Sequence, residues 1–329
     1  PRIKAVIEKE TGVLVAGYVP ELDFWQVGSR HLGLVLPGEI KNLQEQMRQL
    51  GDCLEKTLDV DALLKLGEKA DIDALGSVTV TADGSSQKCE AQKNADLVLQ
   101  NQFAGEKISH SAIRIRLGVA WDEAFCFYYR DNLEFLEKQG VQIVRFSPVH
   151  DKHLPDDLDG LLLGGGYPEL YAKALEENET IRNEIRRKAE EDMPILAECG
   201  GYLYLLKELE DENGTGYEMA GVFSGKGYKK GKNSHFGYIT VQTERDSLYL
   251  KAGETIKGHE FHYWESTQDE NELKMQAKKP TGKRSWPCVT VKNQVMAGFP
   301  HLYYPSLEGF GERFVQACDR YRMKRKRQQ

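Results

Sequence analysis

The chain has 329 residues, 40% hydrophobic and 29% charged, with a formal net charge of −7. That is a globular composition with length for more than one domain. The negative balance argues against nucleic acid as a general partner, and no apolar run approaches the about 18 residues of a membrane span.

"PRIKAVIEKE" is charged and has no apolar centre, so it does not read as a secretion signal. A cytoplasmic location with reduced thiols is expected. The chain opens on Pro1 rather than methionine, which reads as a processed or truncated product. "GVLVAGYVP", residues 12–20, is a β-type run stopped by Pro20. Ile40, Leu43, Met47 and Leu50 are spaced by three and four, which predicts a helix from about Lys41 to Leu50. These pieces cannot make a core alone and must pack on other sequence. Residues 79–111 are polar and irregular and read as a linker.

From Arg114 the pattern becomes regular. "IRIRLGVA", "VQIVRF", "LDGLLLGGG" and "MPILAE" read as strands. Between them, "RDNLEFLEKQG" reads as a helix capped by Asp131 or Asn132, and "ALEENETIRNEIRRKAEE" as a second helix. "GGYLYLLKEL" is predicted helical. The alternation calls for an α/β fold with a parallel sheet and helices on both faces. From Val222 the chain turns β-rich, and a last helix spans about Glu308–Tyr321. "RYRMKRKRQQ" reads as a solvated, frayed tail.

Ligands of such sheets bind at the carboxyl ends of strands. Cys199 falls there, between "MPILAE" and Gly200-Gly201. A sharp strand-to-helix turn needs small neighbours and lifts a nucleophile clear of the sheet. The helix start should favour the thiolate and lower the thiol pKa. A structural cysteine beside a helix start is the alternative. Gly164–Gly166 ends another strand and frees backbone N–H groups for an oxyanion hole with Gly200, or simply makes a tight turn. Of 8 histidines, His31, His110, His150, His153 and His235 fall in loop-like segments, and sequence physics alone does not choose a base. His259-Glu260-x-His262 resembles part of a metal motif but lacks a further ligand, so no metal site is assigned. The phosphate-loop pattern G-x-x-x-x-G-K-S/T does not occur.

Taken together, "GGGYPE", "AECGG" and "PHLYY" resemble the class I glutamine amidotransferases. More narrowly, "DLDGLLLGGGYPEL", "ILAECGGYLYL" and "KGHEFHYWES" resemble the cobyrinic acid a,c-diamide synthase family. The resemblance implies a flavodoxin-like amidotransferase domain with a mostly parallel sheet, preceded by part of an α/β nucleotide-binding segment. Residues 1–60 would be the end of an ATP-dependent synthetase domain, 61–112 a helical segment and linker, and 113–329 the glutamine amidotransferase domain. It implies that Cys199 attacks glutamine, that His301 is the base, and that Gly165, Gly166 and Gly200 serve the oxyanion or the glutamine. His259, Glu260, His262, Arg30 and His31 would face substrate or an interface. The ammonia would amidate side-chain carboxylates of a corrinoid, with ATP and Mg²⁺ as cofactors. The phosphate loop would lie in sequence before Pro1 or on a partner chain, and a homodimer is compatible.

Where many glutaminases carry an orienting Glu, two residues after the histidine, this chain has Tyr303. Three other readings are open: the related amidation of a nickel sirohydrochlorin, a small-amide cysteine hydrolase, and a degenerate binding module without turnover.

Overall fold

The computed structural model describes residues 2–25, 29–30, 33–34, 40–69, 115–230, 235–268, 273–281 and 284–328. The chain divides into two compact units, Pro1–Ser111 and Ala112–Gln329. The first holds helix α1 (Arg2–Thr11), a short antiparallel pair β1 (Ser29–Arg30) and β2 (Gly33–Leu34), and helices α2 (Leu43–Thr57) and α3 (Val60–Lys69). The strand expected at residues 12–20 does not form. Only Gly17 finds a pairing partner there, an isolated bridge to Leu58. The helix expected to stop at Leu50 continues to Thr57, braced by Arg48 donating to Glu45 and Asp52 across the proposed end. His31, His110 and the linker at 79–111 lie outside the described residues.

The second unit is built on a ten-stranded sheet. Its elements run β3 (Ile115–Ala120), β4 (Phe125–Phe127), α4 (Arg130–Lys138), β5 (Val141–Phe146), β6 (Gly160–Leu163), β7 (Gly165–Gly166), α5 (Ala172–Glu177), α6 (Glu179–Glu190), β8 (Ile195–Glu198) and α7 (Gly200–Leu205). Then come β9 (Glu208–Glu210), β10 (Gly216–Glu218), β11 (Lys226–Lys229), β12 (Phe236–Gln242), β13 (Thr255–Phe261), β14 (Trp264–Ser266), β15 (Leu273–Lys278), β16 (Ser285–Lys292), β17 (Val295–Gly298), β18 (His301–Leu302) and α8 (Phe310–Gln328). Spatial order in the large sheet is β18-β13-β12-β15-β16-β17-β8-β6-β3-β5. The half from β17 to β5 is parallel. The half from β18 to β17 is antiparallel and corresponds to the β-rich region after Val222.

Strands β6, β8 and β17 are buried at every residue, because helices cover both faces of the parallel half. Alternate residues go to two different cores. Leu161, Leu163, Ile195 and Ala197 join Ile181 and Ile185 of α6. Leu162, Leu196 and Met296 join Leu136 of α4 and Phe310, Phe314 and Ala317 of α8.

Three local expectations are corrected. The long charged helix is two helices, broken at Asn178, whose side-chain amide donates to the carbonyls of Pro148 and Asp151. The helix after Cys199 stops at Leu205, because Leu206 turns extended (φ −68°, ψ 170°) and Lys207 N–H pairs with Gly225. The basic tail is not frayed. Helix α8 runs to Gln328, Tyr321 and Arg322 are buried, and Arg325 pairs with the buried Asp159 at 3.1 Å.

Candidate active site

Strand β8 ends at Glu198, and Cys199 sits at the turn into α7. Its backbone is at φ 49° and ψ −103°, a strained region for a residue with a side chain. The fold imposes it from both sides. Cys199 N–H donates to Gly298 of β17 at 2.8 Å, and its carbonyl accepts from Leu203 at 3.0 Å. A Cβ on Gly201 would lie 2.0 Å from the Leu163 carbonyl oxygen, so only glycine lets the helix leave so close to β6. This is the nucleophile-elbow geometry.

The glycine turn lies alongside. Gly165–Gly166 forms β7 and pairs with β4. A Cβ on Gly200 would be 3.0 Å from the Gly166 nitrogen, so the two candidate oxyanion stretches are neighbours. The Gly200 N–H is directed at the Cys199 sulfur and favours its thiolate. Gly164 N–H donates to the Tyr128 hydroxyl at 2.9 Å, and that hydroxyl donates to the Ala120 carbonyl.

His301 reaches the same place from β18. A Cβ on Gly165 would be 2.3 Å from its Cε1 and 3.2 Å from either ring nitrogen, so the imidazole lies directly against that glycine. On β13, His259 pairs with His301 and the rings stack, centroids 4.8 Å apart at 15°. His259 Nδ1 is 2.6 Å from the Tyr129 hydroxyl. Among the described residues no hydrogen bond to the His301 imidazole is found; packing holds it. Tyr303 does not orient it: its hydroxyl points to Asp131 at 3.5 Å.

The backbone of this segment is clamped by two residues sequence reasoning passed over. Asn132, expected as a helix cap, is buried and makes no cap. Its amide donates to Leu302 O at 2.7 Å and its oxygen accepts from Tyr304 N–H at 2.9 Å. Glu198 Oε1 accepts from Leu302 N–H at 3.3 Å and from the Tyr304 hydroxyl at 3.0 Å. Burial pushes the Glu198 carboxyl up to about 8. The only sequence signals were an Asn early in a helix and an acid ending an apolar strand.

The electrostatics correct the expectation for Cys199. Burial pushes its thiol above the ordinary range, and the carboxylates of Glu169, Glu260 and Glu198 act the same way. The Gly200 N–H is the opposing influence and does not outweigh desolvation. His301 is pushed down to about 3 by burial, with His259 and His262 adding to it. His259 is lowered by burial against the attraction of Glu260. Both shifts favour the uncharged forms, thiol and neutral imidazole.

The other candidates divide. His259 joins His301, whereas Glu260 on the opposite face of β13 and His262 after it meet His235, a histidine sequence reasoning left in a loop. Arg30 lies on β1 of the first unit.

A strained cysteine on a strand-to-helix elbow, beside a glycine turn and a buried histidine at the end of a largely parallel sheet, is an α/β arrangement of the glutamine amidotransferase kind. The chain belongs to that class through one family: residues 116–307 match the CobB/CobQ-like glutamine amidotransferase domain. Among its relatives, cobyrinate a,c-diamide synthase of Caldanaerobacter subterraneus subsp. tengcongensis is 34% identical over 97% of this chain and 64% of its own length. The enzyme of the same name from Picrophilus torridus is 34% identical over 96% and 63%, and that of Streptococcus sanguinis 36% over 92% and 60%. The chain thus spans less than two thirds of these relatives. Among solved structures, PurLQS from Thermotoga maritima matches with a TM-score of 0.46 at 19% identity, covering 64% of this chain and 99% of its own. A glutamine amidotransferase from Thermotoga maritima matches with a TM-score of 0.42 at 13% identity, covering 66% and 86%.

ATP and Mg²⁺ do not fit the described residues. No glycine loop followed by Lys and Ser or Thr is present in the sequence. The side chains among the described residues whose geometry could hold a metal ion are His235, Glu260 and His262, and imidazoles are poor ligands for Mg²⁺.

Proposed function

We propose that this chain carries the glutaminase site of an amidotransferase acting in the manner of the cobyrinate a,c-diamide synthases. Cys199 attacks the side-chain amide of glutamine, and His301 takes the thiol proton. The Gly200 N–H, with those of Gly165 or Gly166, receives the negative oxygen of the tetrahedral intermediate. His301 then returns the proton to the departing ammonia, and water hydrolyses the thioester to glutamate. The ammonia would go to corrinoid carboxylates at a synthetase site, where ATP and Mg²⁺ would supply the carboxylate activation; the described residues hold no binding set for those two groups. In this reading residues 1–60 belong to the synthetase part and 113–329 to the glutaminase, and the protein works in the cytoplasm.

The observation that carries the reading is the contact of His301 with Gly165, beside the elbow that holds Cys199. The test is glutamate release from glutamine by the chain and by Cys199→Ala, with folding checked by circular dichroism. Release should vanish in the variant, and a glutamine-analogue electrophile should label wild type at Cys199 alone. Equal release by both proteins would remove Cys199 from the reaction.

A further inference from the structure

Close to the glutaminase residues lies a polar cluster that the reaction above does not use. His235 immediately precedes β12, Glu260 is on β13 and His262 follows β13. The antiparallel pairing of β12 and β13, with Phe236 opposite Phe261, brings His235 to the other two. One ligating atom from each lies within 4.8 Å of the others. The sequence offered only the fragment His259-Glu260-x-His262; the fold supplies the third side chain.

The donor atoms are prepared. His262 Nδ1 is 2.6 Å from the Trp264 carbonyl oxygen, which can only accept. Nδ1 therefore carries a proton, and Nε2 is the ring atom that faces Glu260 Oε2, at 3.4 Å. His235 Nδ1 stands 3.8 Å from the same oxygen. Trp286 Nε1–H donates to both carboxylate oxygens, at 3.1 and 3.3 Å. The rings are fixed as well: His262 stacks on Phe299 at 3.9 Å and His235 on Trp286 at 4.2 Å. Outer groups that set the tautomer of an imidazole and the orientation of a carboxylate are what metal sites carry around their ligands.

A purely hydrogen-bonded cluster accounts for the geometry less well. Glu260 is 1% exposed, yet its only close donor among the described residues is one indole N–H. The contacts to His262 and His235, at 3.4 and 3.8 Å, are too long for good hydrogen bonds. A buried carboxylate so sparsely satisfied is costly. A tetrahedral ion with bonds of about 2.0–2.2 Å spaces its ligands roughly 3.4 Å apart; the two separations to Glu260, 3.4 and 3.8 Å, lie near that spacing, and all three donor atoms fall within 4.8 Å. Two imidazoles and one carboxylate suit a borderline divalent ion rather than Mg²⁺ or Ca²⁺.

We propose that His235, Glu260 and His262 bind one divalent transition-metal ion, zinc foremost, with the remaining position open to water or a substrate group. The proposal is independent of the glutaminase reading. Its test uses the full chain, stripped with a chelator and dialysed. Calorimetric titration with Zn²⁺ should give one site per chain of micromolar affinity or tighter, and Mg²⁺ should not compete. His235→Ala changes a side chain that is 20% exposed and should weaken Zn²⁺ binding at least about tenfold. Glu260→Gln, which keeps the shape, should do the same and serves if His235→Ala does not fold. Cys199→Ala should bind as wild type, which separates this site from the thiol. Absence of a Zn²⁺ site in the wild type, or unchanged affinity in the folded ligand variants, overturns the proposal.

Discussion

Gly165→Ala tests whether His301 sits where the reaction needs it. The added Cβ would lie 2.3 Å from His301 Cε1, while ordinary van der Waals contact begins near 3.4 Å. The ring must retreat by about 1 Å, since side-chain overpacking of this kind is not absorbed in place. Its escape is hindered, because His301 is buried and the other side is taken by the stacked His259 ring. Displacement of a reacting group by about 1 Å costs about 100-fold in rate, or about 2.7 kcal/mol of barrier. The substitution keeps the backbone N–H of residue 165, so an oxyanion donor there survives. Glutamate release should lose about two orders of magnitude in kcat/KM, with about 1–3 kcal/mol of stability lost to overpacking. Gly51→Ala, where nothing lies within 4 Å, serves as the control and should keep full activity. A Gly165→Ala protein with wild-type kcat/KM would refute the placement of His301 as base.

Two further outcomes follow from the clamp on β18. Glu198 favours its protonated form in the fold, with its pKa raised from 4.5 to about 8. Its stabilising share is therefore full below about pH 4.5 and is lost as pH rises toward about 8, at up to about 1.4 kcal/mol per pH unit. Glu198→Gln should flatten that slope in denaturant melts taken across the window; a wild-type slope in the variant would contradict the assignment. Asn132→Ala should cost about 2–5 kcal/mol by stranding the Leu302 carbonyl and the Tyr304 N–H. It should also lower glutaminase activity by loosening His301. Full stability in urea titration would show that the clamp is dispensable.

The strands that position the site could be read in the sequence because their residues are buried on both faces, leaving apolar runs such as "GLLL" and "MPILAE" between turn residues. The elbow was legible only in part: a cysteine followed by two glycines at a strand end fits a reactive or a structural thiol alike, and the resemblance to glutamine amidotransferases chose between them. What stayed hidden was long-range. Asn132 looked like a cap because caps are local, but its partners Leu302 and Tyr304 come from the far end of the chain. His235 looked like a loop residue because the pairing that carries it to Glu260 belongs to the antiparallel half of the sheet. The break at Asn178 was missed because its cause is two carbonyls in the loop after β5. The thiol pKa was misjudged in sign, since a helix start is visible in sequence and the depth of burial around it is not.

That last point bears on how the site is controlled. Burial disfavours both the thiolate of Cys199 and the imidazolium of His301. An ion pair preformed in the free site would need both charged groups at once, and the surrounding carboxylates push against the thiolate. The proton should therefore move only when glutamine is bound and charge can pass from sulfur to the oxygen held by backbone N–H groups. The consequence is measurable with chloroacetamide, which reads thiolate directly. Cys199 should react more slowly at pH 7 than free cysteine, and its rate should climb about tenfold per pH unit to about pH 9 without levelling. A plateau below pH 8 would mean that the thiolate is stabilised in the free protein, and the substrate-driven order of proton transfer would fall with it.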